Sequence, residues 1–455
     1  MLGVAAALLL VEALGWSALA LAAPRPTGPL ALRLAGAFVA GLATLSAFLH
    51  LASLAGASVT PILAALAVGP LVLAAMGLAR RRRGRLGGRT EPATERPWSA
   101  SEVALAVLAL ALLAVPAALA AVEPVVEWDA VAIWGLKARE LARHSLAHST
   151  LLHDPARAYA HLDYPLLWPF VLAWVWSLAG VDRLTAVPLA GWAIAAATVG
   201  LLYGALRALL ERRSALAAAA AVAALPILGA KSIRLLADPV AGLFLLAWVA
   251  GSALYLARRD RGALALAGFA LAGLLTTKNE GLGLAAIGVA VFAVGLGLRR
   301  PLAWRELGAG LAPALLAVPA LAVARSLPHL HHNTGAEISP ASLLAHGDRW
   351  REVLARLPGE LLARDDWGFF WPLAALGALL ALARRPGGDA ARPAALMVLL
   401  PWPLIVAGFV GHELPPALLM DVAASRLALQ LAPAAAFVAA LGFRARPSAT
   451  DPPPP

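Results

Sequence analysis

Apolar runs of about twenty residues, the length at which a helix crosses the hydrocarbon core of a bilayer, recur along this whole chain. In lipid the backbone must satisfy its own hydrogen bonds, so only helices and closed barrels span. Hydrophobic residues make up 61% of the chain and charged residues 14%, which excludes an ordinary soluble domain and a disordered chain. The sequence therefore predicts an all-α, polytopic integral membrane protein.

The length rule predicts about thirteen transmembrane helices. The first run lacks a basic segment before it and is followed by further runs, so we expect it to remain as a helix. The predicted spans are 2–23, 30–53, 59–79, 101–122, 184–210, 214–230, 238–257, 262–277, 281–298, 306–326, 367–384, 394–411 and 425–443.

Several classes of function are excluded by composition and motifs. The chain has no cysteine, which excludes disulfides, thiolate metal sites and cysteine nucleophiles. Its net charge of +11 comes from arginine clusters between apolar runs, a pattern that sets membrane topology, and we expect no nucleic-acid partner. No P-loop, no dinucleotide fingerprint and no GxSxG serine motif is present.

One apolar run decides the predicted topology. The basic cluster 80–85 marks the cytoplasmic side, so the run 101–122 crosses outward and the loop that follows lies outside. Counting 164–179 as a span would place the four later arginine clusters outside. Its tryptophans favour a helix lying at the membrane interface, which places all four inside. The tryptophans are Trp168, Trp174 and Trp176, and the clusters are 211–213, 258–261, 299–300 and 384–385.

This topology divides the chain into three parts. Residues 1–100 hold the N-terminal helices and a basic cytoplasmic linker, 101–443 form a transmembrane core with a large outer loop at 123–183, and 444–455 form a Pro-rich tail. Nearly all aspartate, glutamate and histidine residues outside the arginine clusters belong to outer segments. We therefore expect the chemistry at the outer face.

Three aspartates stand at the predicted outer ends of helices. Asp129 opens an amphipathic segment running to His148, Asp163 precedes Tyr164 and Pro165, and Asp238 precedes Pro239. Each could be a helix cap, because aspartate is favoured there. Charged groups beside a bilayer are expensive, so their convergence on one face equally predicts a functional site.

Two further outer positions carry unexpected charge. The turn 276–281 (Thr-Thr-Lys-Asn-Glu-Gly) contains Lys278 and Glu280, although a hairpin turn needs neither. Arg426 opens the last span, where snorkelling to the surface and an anionic partner are both plausible. Three histidines at 329, 331 and 332 favour a solvated loop over a metal site.

These landmarks together resemble the GT-C membrane glycosyltransferases, in particular the superfamily of protein O-mannosyltransferases and lipid A aminoarabinose transferases. The resemblance covers residues 100–443 and consists of short motifs in order. They are Glu127-Trp128-Asp129, His161-Leu162-Asp163-Tyr164-Pro165, Asp238, Thr277-Lys278-Asn279-Glu280-Gly281 and Arg426 through Pro433. Three spans precede the core where the family usually has one, and Pro165 stands alone where the family often has two prolines.

The resemblance implies a bacterial cytoplasmic-membrane enzyme with an extracytoplasmic active site and a polyprenyl-phosphate sugar donor. The acceptor, whether lipid, glycan or protein, stays open. Asp129 and Asp163 would be catalytic, with Asp129 as the base that activates the acceptor hydroxyl. Lys278, Arg426 and Arg234 would bind the donor phosphate. His161, Asp238 and Glu280 would orient the acceptor, or with Asp163 hold a divalent cation such as Mg²⁺ or Mn²⁺. In-line attack would invert the anomeric carbon.

Two other classes stay open. A transporter or lipid flippase would place charged residues at mid-membrane and show repeated, broken helices. Here the spans are nearly free of Asp and Glu, apart from Glu12, and no repeat is evident. A non-catalytic assembly protein of the same fold is compatible with the sequence.

Overall fold

A computed structural model of the chain describes residues 1–23, 28–60, 96–180, 185–297, 304–327, 339–383, 390–412 and 414–444. Every regular element within these ranges is helical. The α-helices are α1 (Leu2–Ala22), α2 (Leu30–Leu54), α3 (Ala100–Val122), α4 (Leu136–Arg143), α5 (Leu167–Ala179), α6 (Val187–Arg207), α7 (Arg212–Ala223), α8 (Pro226–Ile233), α9 (Ala237–Arg258), α10 (Arg261–Thr277), α11 (Glu280–Gly297), α12 (Trp304–Leu311), α13 (Val318–Ser326), α14 (Pro340–Ala345), α15 (Arg349–Leu361), α16 (Arg364–Trp367), α17 (Phe370–Leu382), α18 (Ala391–Leu399), α19 (Pro401–Gly411) and α20 (Pro416–Phe443).

The protein is a multi-pass membrane protein. Across the described ranges, nine helical segments are long and apolar enough to span, or ten if the pair α7–α8, bent by 58°, counts as one span. Helices α5, α10 and α17 are shorter apolar helices of 10–17 residues, or about 15–26 Å at 1.5 Å per residue. Each of the nine segments overlaps a predicted span. The nine or ten spans found among the described residues are fewer than the predicted number of about thirteen. The predicted span 59–79 lies almost wholly outside them.

The bundle has two ends, which we call the Asp129 end and the Arg212 end. At the Asp129 end, the start of α9 meets the turn after α10, and Lys278 contacts Asp238 there. At the Arg212 end, the start of α7 meets the start of α3, and Arg212 contacts the buried Glu102. The arginine clusters at 211–213 and 258–261 end or begin helices at the Arg212 end, whereas those at 299–300 and 384–385 lie outside the described residues.

Helix α9 forms the centre of the bundle and α3 lies at its edge. Of the apolar window in α9, 94% is buried inside the protein, whereas the corresponding share for α3 is 11%. A helix that is apolar all round can be surrounded either by protein or by lipid. The two helices differ in this way: α9 contacts α10, α20 and α6, whereas most of the surface of α3 is exposed on the outside of the bundle.

The Trp-rich helix α5 begins and ends at the Asp129 end. The Trp168 indole donates to the carbonyl of Leu235, just before α9, at 2.8 Å. Near its other end, the Trp174 indole donates to the carbonyl of Ala7 in the first turns of α1, at 3.1 Å. The tryptophans predicted a helix lying at the membrane interface, but their side chains pack inside the protein. Trp168, Trp174 and Trp176 are buried, and protein carbonyls satisfy the first two indole N–H groups.

The last helix begins before the first residue of the predicted span 425–443. Helix α20 starts at Pro416 and contains 28 residues, or about 42 Å, more than the bilayer core of about 30 Å requires. Its first turns pack against α15 and α19 through buried Val353, Phe409 and Met420. The apolar cover that α15 provides explains why the helix extends beyond the predicted boundary.

The two ends of the bundle should lie on opposite sides of the membrane. Arg213 lies at the Arg212 end, and Ala341 lies on α14, which packs against the buried cluster at the start of α20, at the Asp129 end. Because the chain has no cysteine, Arg213→Cys and Ala341→Cys each introduce a single thiol at an exposed position. A membrane-impermeant maleimide applied to sealed cells should label the cysteine at 341 directly and the cysteine at 213 only after permeabilisation. Equal labelling of both thiols in sealed cells would contradict this topology.

Candidate functional site

A buried carboxylate joins three helices at the Asp129 end. Asp238, in the first turn of α9, is fully buried. One carboxylate oxygen accepts from Lys278 Nζ at 2.9 Å and from Gln430 Nε2 at 2.8 Å. The other accepts from Arg426 Nε at 3.2 Å. Asp238 therefore holds two cations in fixed positions.

The turn between α10 and α11 delivers Lys278 to this carboxylate. Glu280 begins α11 and its carboxylate lies 3.1 Å from Lys278 Nζ. Gly281 makes the close approach of the two helices possible, because a Cβ there would stand 1.9 Å from the Leu274 carbonyl oxygen. Burial opposes the charged form of Lys278, but Asp238 and Glu280 outweigh it and raise its pKa. The two carboxylates thus favour the protonated, cationic form of Lys278.

Asp129 contacts Arg426 rather than capping a helix. The predicted amphipathic helix is a π-helix over Asp129–Gly135 followed by α4, and its N-cap position is Trp128, without a side-chain capping bond, rather than Asp129. The Asp129 carboxylate lies 2.7 Å from Arg426 Nη1. Arg426 therefore bridges a buried carboxylate and a partly exposed one.

Asp163 also makes a tertiary contact instead of a cap. It is 6% exposed and accepts from Asn279 Nδ2 at 2.9 Å. Helix α5 begins four residues later without a side-chain capping bond. The contact attaches the 161–165 segment to the Lys278 turn.

A buried lysine on α4 supports the 161–165 segment. Lys137, on α4, is fully buried, although its sequence position suggested a solvated polar face. Its Nζ donates to the His161 carbonyl at 2.7 Å and lies over the rings of Trp134 and Tyr164, 5.2 and 5.6 Å from their centroids. His161 has a left-handed backbone (φ 48°) and its ring stacks on Tyr164. Lys137 therefore stabilises a strained turn.

Burial has the largest effect on the pKa values of Lys137 and His161. It lowers the pKa of Lys137 from 10.5 to about 7, although the nearby Asp163 charge opposes the shift. Burial likewise lowers the pKa of His161, with Asp163 opposing, so the neutral imidazole is favoured at pH 7. Tyr164 lies between the two lysines, with Lys278 Nζ 5.9 Å from its ring centroid, and burial raises its pKa.

The structure brings together most of the predicted site residues. The connected group contains six of them: Asp129, Asp163, Asp238, Lys278, Glu280 and Arg426. His161 joins through its carbonyl and its ring. Arg234 does not, because it pairs with Glu127 in a neighbouring group.

Four residues of the site were not predicted: Gln430, Asn279, Lys137 and Tyr164. One signal could have found Lys137. The chain has only three lysines among its 37 basic residues, and all three, at 137, 231 and 278, lie at the Asp129 end. In a chain that otherwise uses arginine, a lysine marks a position where a compact ammonium group is needed.

Burial separates a supporting layer from an accessible one. Asp238 and Lys278 are buried, whereas the side chains of Asp129 and Arg426 are 22% and 20% exposed. Glu280 is 35% exposed. A ligand approaching this end would therefore meet Asp129, Arg426 and Glu280 first.

The contacts of Asp238 do not suit a divalent cation. Both of its oxygens already accept from cationic or amide groups, and an ion would have to displace them. Among the described residues no group of three or more His, Asp and Glu side chains has the arrangement of a metal site.

No protein-family model matches the chain, and neither a curated protein nor a solved structure matches it significantly.

Loss of the Asp238 charge should destabilise the protein strongly. Asp238→Asn leaves Lys278 and Arg426 without their shared buried counter-charge, and breaking such a pair costs about 3–5 kcal/mol. Asp421→Asn is the matched control, because Asp421 is 63% exposed and 3.8 Å from Arg356, a contact worth about 0–1 kcal/mol. Unfolding in detergent followed by circular dichroism measures both. Equal, small losses would show that the buried pairs do not hold the helices together.

Lys137 should make stability depend on pH. Between its folded pKa of about 7 and its ordinary value of 10.5, the unfolded chain binds a proton that the folded chain does not. The free energy of unfolding should therefore rise with pH across this window, by up to about 1.4 kcal/mol per pH unit. Lys137→Met should remove that rise. Melting temperatures measured from pH 6.5 to 9 would contradict the assignment if the two proteins gave parallel curves.

Proposed function

We propose that this protein is a GT-C-like membrane glycosyltransferase that transfers a sugar from a polyprenyl-phosphate donor to an acceptor hydroxyl. The observation that carries the proposal is the position of Arg426. Its guanidinium lies between the exposed carboxylate of Asp129 at 2.7 Å and the buried carboxylate of Asp238 at 3.2 Å. The same buried carboxylate holds Lys278. Two cations and one accessible carboxylate thus converge at one end of a membrane bundle.

The cations suit the leaving group of this reaction. Breaking the bond between the anomeric carbon and the phosphate oxygen leaves that bond's electrons, and hence charge, on the phosphate. Fixed cations stabilise developing charge without reorganising. Arg426 offers a planar fork of N–H donors, which matches phosphate oxygens. Lys278 adds a point charge, and Asp238 positions both without touching the substrate.

Asp129 suits the base. The acceptor oxygen forms a bond to the anomeric carbon and passes its proton to the Asp129 carboxylate, while the polyprenyl phosphate departs from the opposite face with inversion. Arg426 couples these events. A donor phosphate that binds the guanidinium competes with Asp129 for it, which frees the carboxylate to accept a proton. Asp163 supports the site from the neighbouring segment through Asn279.

The proposed location is the extracytoplasmic face of a bacterial cytoplasmic membrane. The arginine clusters at 211–213 and 258–261 gather at the Arg212 end, which the positive-inside rule assigns to the cytoplasm. The carboxylate-rich Asp129 end then faces outward, where the headgroups of exported lipid-linked sugars are found.

Asp129→Asn should abolish transfer while leaving the fold intact, because the amide keeps the shape but cannot accept the proton. General bases contribute about 10²- to 10⁴-fold in rate. Mass spectrometry of envelope glycans, glycolipids and glycoproteins would compare a deletion strain with strains complemented by wild type, Asp129→Asn or Asp421→Asn.

We expect the deletion and Asp129→Asn strains to lack the same sugar substituent, and Asp421→Asn to restore it. A glycan profile restored by Asp129→Asn would eliminate the base assignment. An unchanged profile in the deletion strain itself would favour the transporter or assembly alternatives.

A further inference from the structure

A second charged group lies beside the site, in a cleft at the edge of the bundle. The cleft has a volume of about 280 Å³ and is formed by the segment after α3, the start of α6 and the end of α8. We call it the lateral cleft. Its apolar wall includes Val125, Val126, Pro188 and Ile233, and its charged wall includes Glu127 and Arg234.

Glu127 holds two cations at the lateral cleft. Its carboxylate lies 3.3 Å from Lys231 Nζ and 3.6 Å from Arg234 Nε. All three side chains are partly exposed, at 27%, 21% and 54% respectively. Exposed ion pairs of this kind are weak, worth about 0–1 kcal/mol, and are screened by salt. Glu123, at the exposed rim, is the other carboxylate that lines the cleft.

One side of the lateral cleft faces the region where lipid is expected. Helix α3, which leads into it, is mostly unburied. Val122 and Val126 are 72% and 81% exposed, and Trp128 is 68% exposed beside them. Tryptophan at this level is typical of a membrane interface. A lipid tail could therefore lie along α3 with its headgroup in the cleft.

The lateral cleft adjoins the proposed active site. Glu127, Trp128 and Asp129 are consecutive, so the α-carbons of the two acidic residues lie within about 7.6 Å, two peptide steps of 3.8 Å. Glu127 carries the pair with Lys231 and Arg234, and Asp129 carries the pair with Arg426. The lateral cleft and the proposed active site thus share one short segment of chain, which carries an acidic residue of each.

We infer that the lateral cleft is the portal through which the polyprenyl-phosphate donor reaches the active site, and that its phosphate displaces Glu127 from Lys231 and Arg234. The inference rests on the proposed function. Glu127 then compensates the two cations while the portal is empty, because unpaired charges at the lipid boundary are costly. The phosphate takes its place through charge-assisted hydrogen bonds, before it moves to Lys278 and Arg426. No bond to the sugar is broken in this step.

A single thiol reports on the portal without any transfer reaction. Val126→Cys introduces the chain's sole cysteine, and an environment-sensitive fluorophore attached there is read in phosphatidylcholine nanodiscs. The probe lipid is undecaprenyl phosphate without sugar. We expect a saturable change in fluorescence, and none from a fluorophore on Trp304→Cys, which is exposed at the Arg212 end.

Charge variants test the displacement. Lys231→Gln with Arg234→Gln should weaken binding about tenfold or more, since the phosphate loses its charged partners. Glu127→Gln should tighten binding by about fivefold, because it removes the competing carboxylate. Arg213→Gln, an exposed charge change at the Arg212 end, is the matched control and should leave binding unchanged. Weaker binding by Glu127→Gln would overturn the displacement.

Two further outcomes would overturn the portal itself. The first is the absence of a saturable change in fluorescence. The second is an equal change with the same fraction of phosphatidylglycerol, which would show a general preference for anionic lipid.

The binding readout separates this inference from the proposed function. If the protein binds the probe but the deletion strain shows no altered glycan, the portal is supported and the transferase function is overturned. Confirmed sugar transfer without binding of the probe at the lateral cleft would support the transferase and overturn the portal.

Discussion

Asp238 is the residue on which the arrangement of this protein depends. A carboxylate with no exposure at the end of a membrane bundle is costly unless it is paired and hydrogen-bonded, and Lys278, Arg426 and Gln430 supply three hydrogen bonds. These partners come from the turn after α10 and from α20. The need to pair one buried charge therefore fixes three helices relative to one another.

The same pairing prepares the chemistry. Asp238 uses its own charge to hold two cations still, and Arg426 extends from it to the accessible Asp129. Lys137 performs a comparable task for the 161–165 segment through a carbonyl and two aromatic rings. A preorganised set of charges of this kind suits the stabilisation of a leaving phosphate, and the Glu127 group beside it suits the arrival of one.

The sequence predicted the helical membrane class well and the environment of individual residues less well. Asp129, Asp163, Asp238, Lys278 and Arg426 could be nominated because a charge beside a bilayer is expensive wherever it stands. The tryptophans of α5 were misplaced because the same residue type suits a lipid interface and a buried carbonyl partner equally. Lys137 was missed because helical periodicity marks a polar face, and only the packing of Trp134 and Tyr164 shows that this face is buried.

The sequence by itself determined that the chain spans a membrane many times, and where most of its helices lie, because bilayer thickness imposes one length on every apolar run. It also identified the charged residues whose position beside the bilayer requires a partner or a function. The tertiary structure alone decided their partners: Asp129 with Arg426, Asp163 with Asn279, and Arg234 with Glu127. These pairs join residues far apart in the chain, and their contact depends on how the helices pack, which no local pattern records.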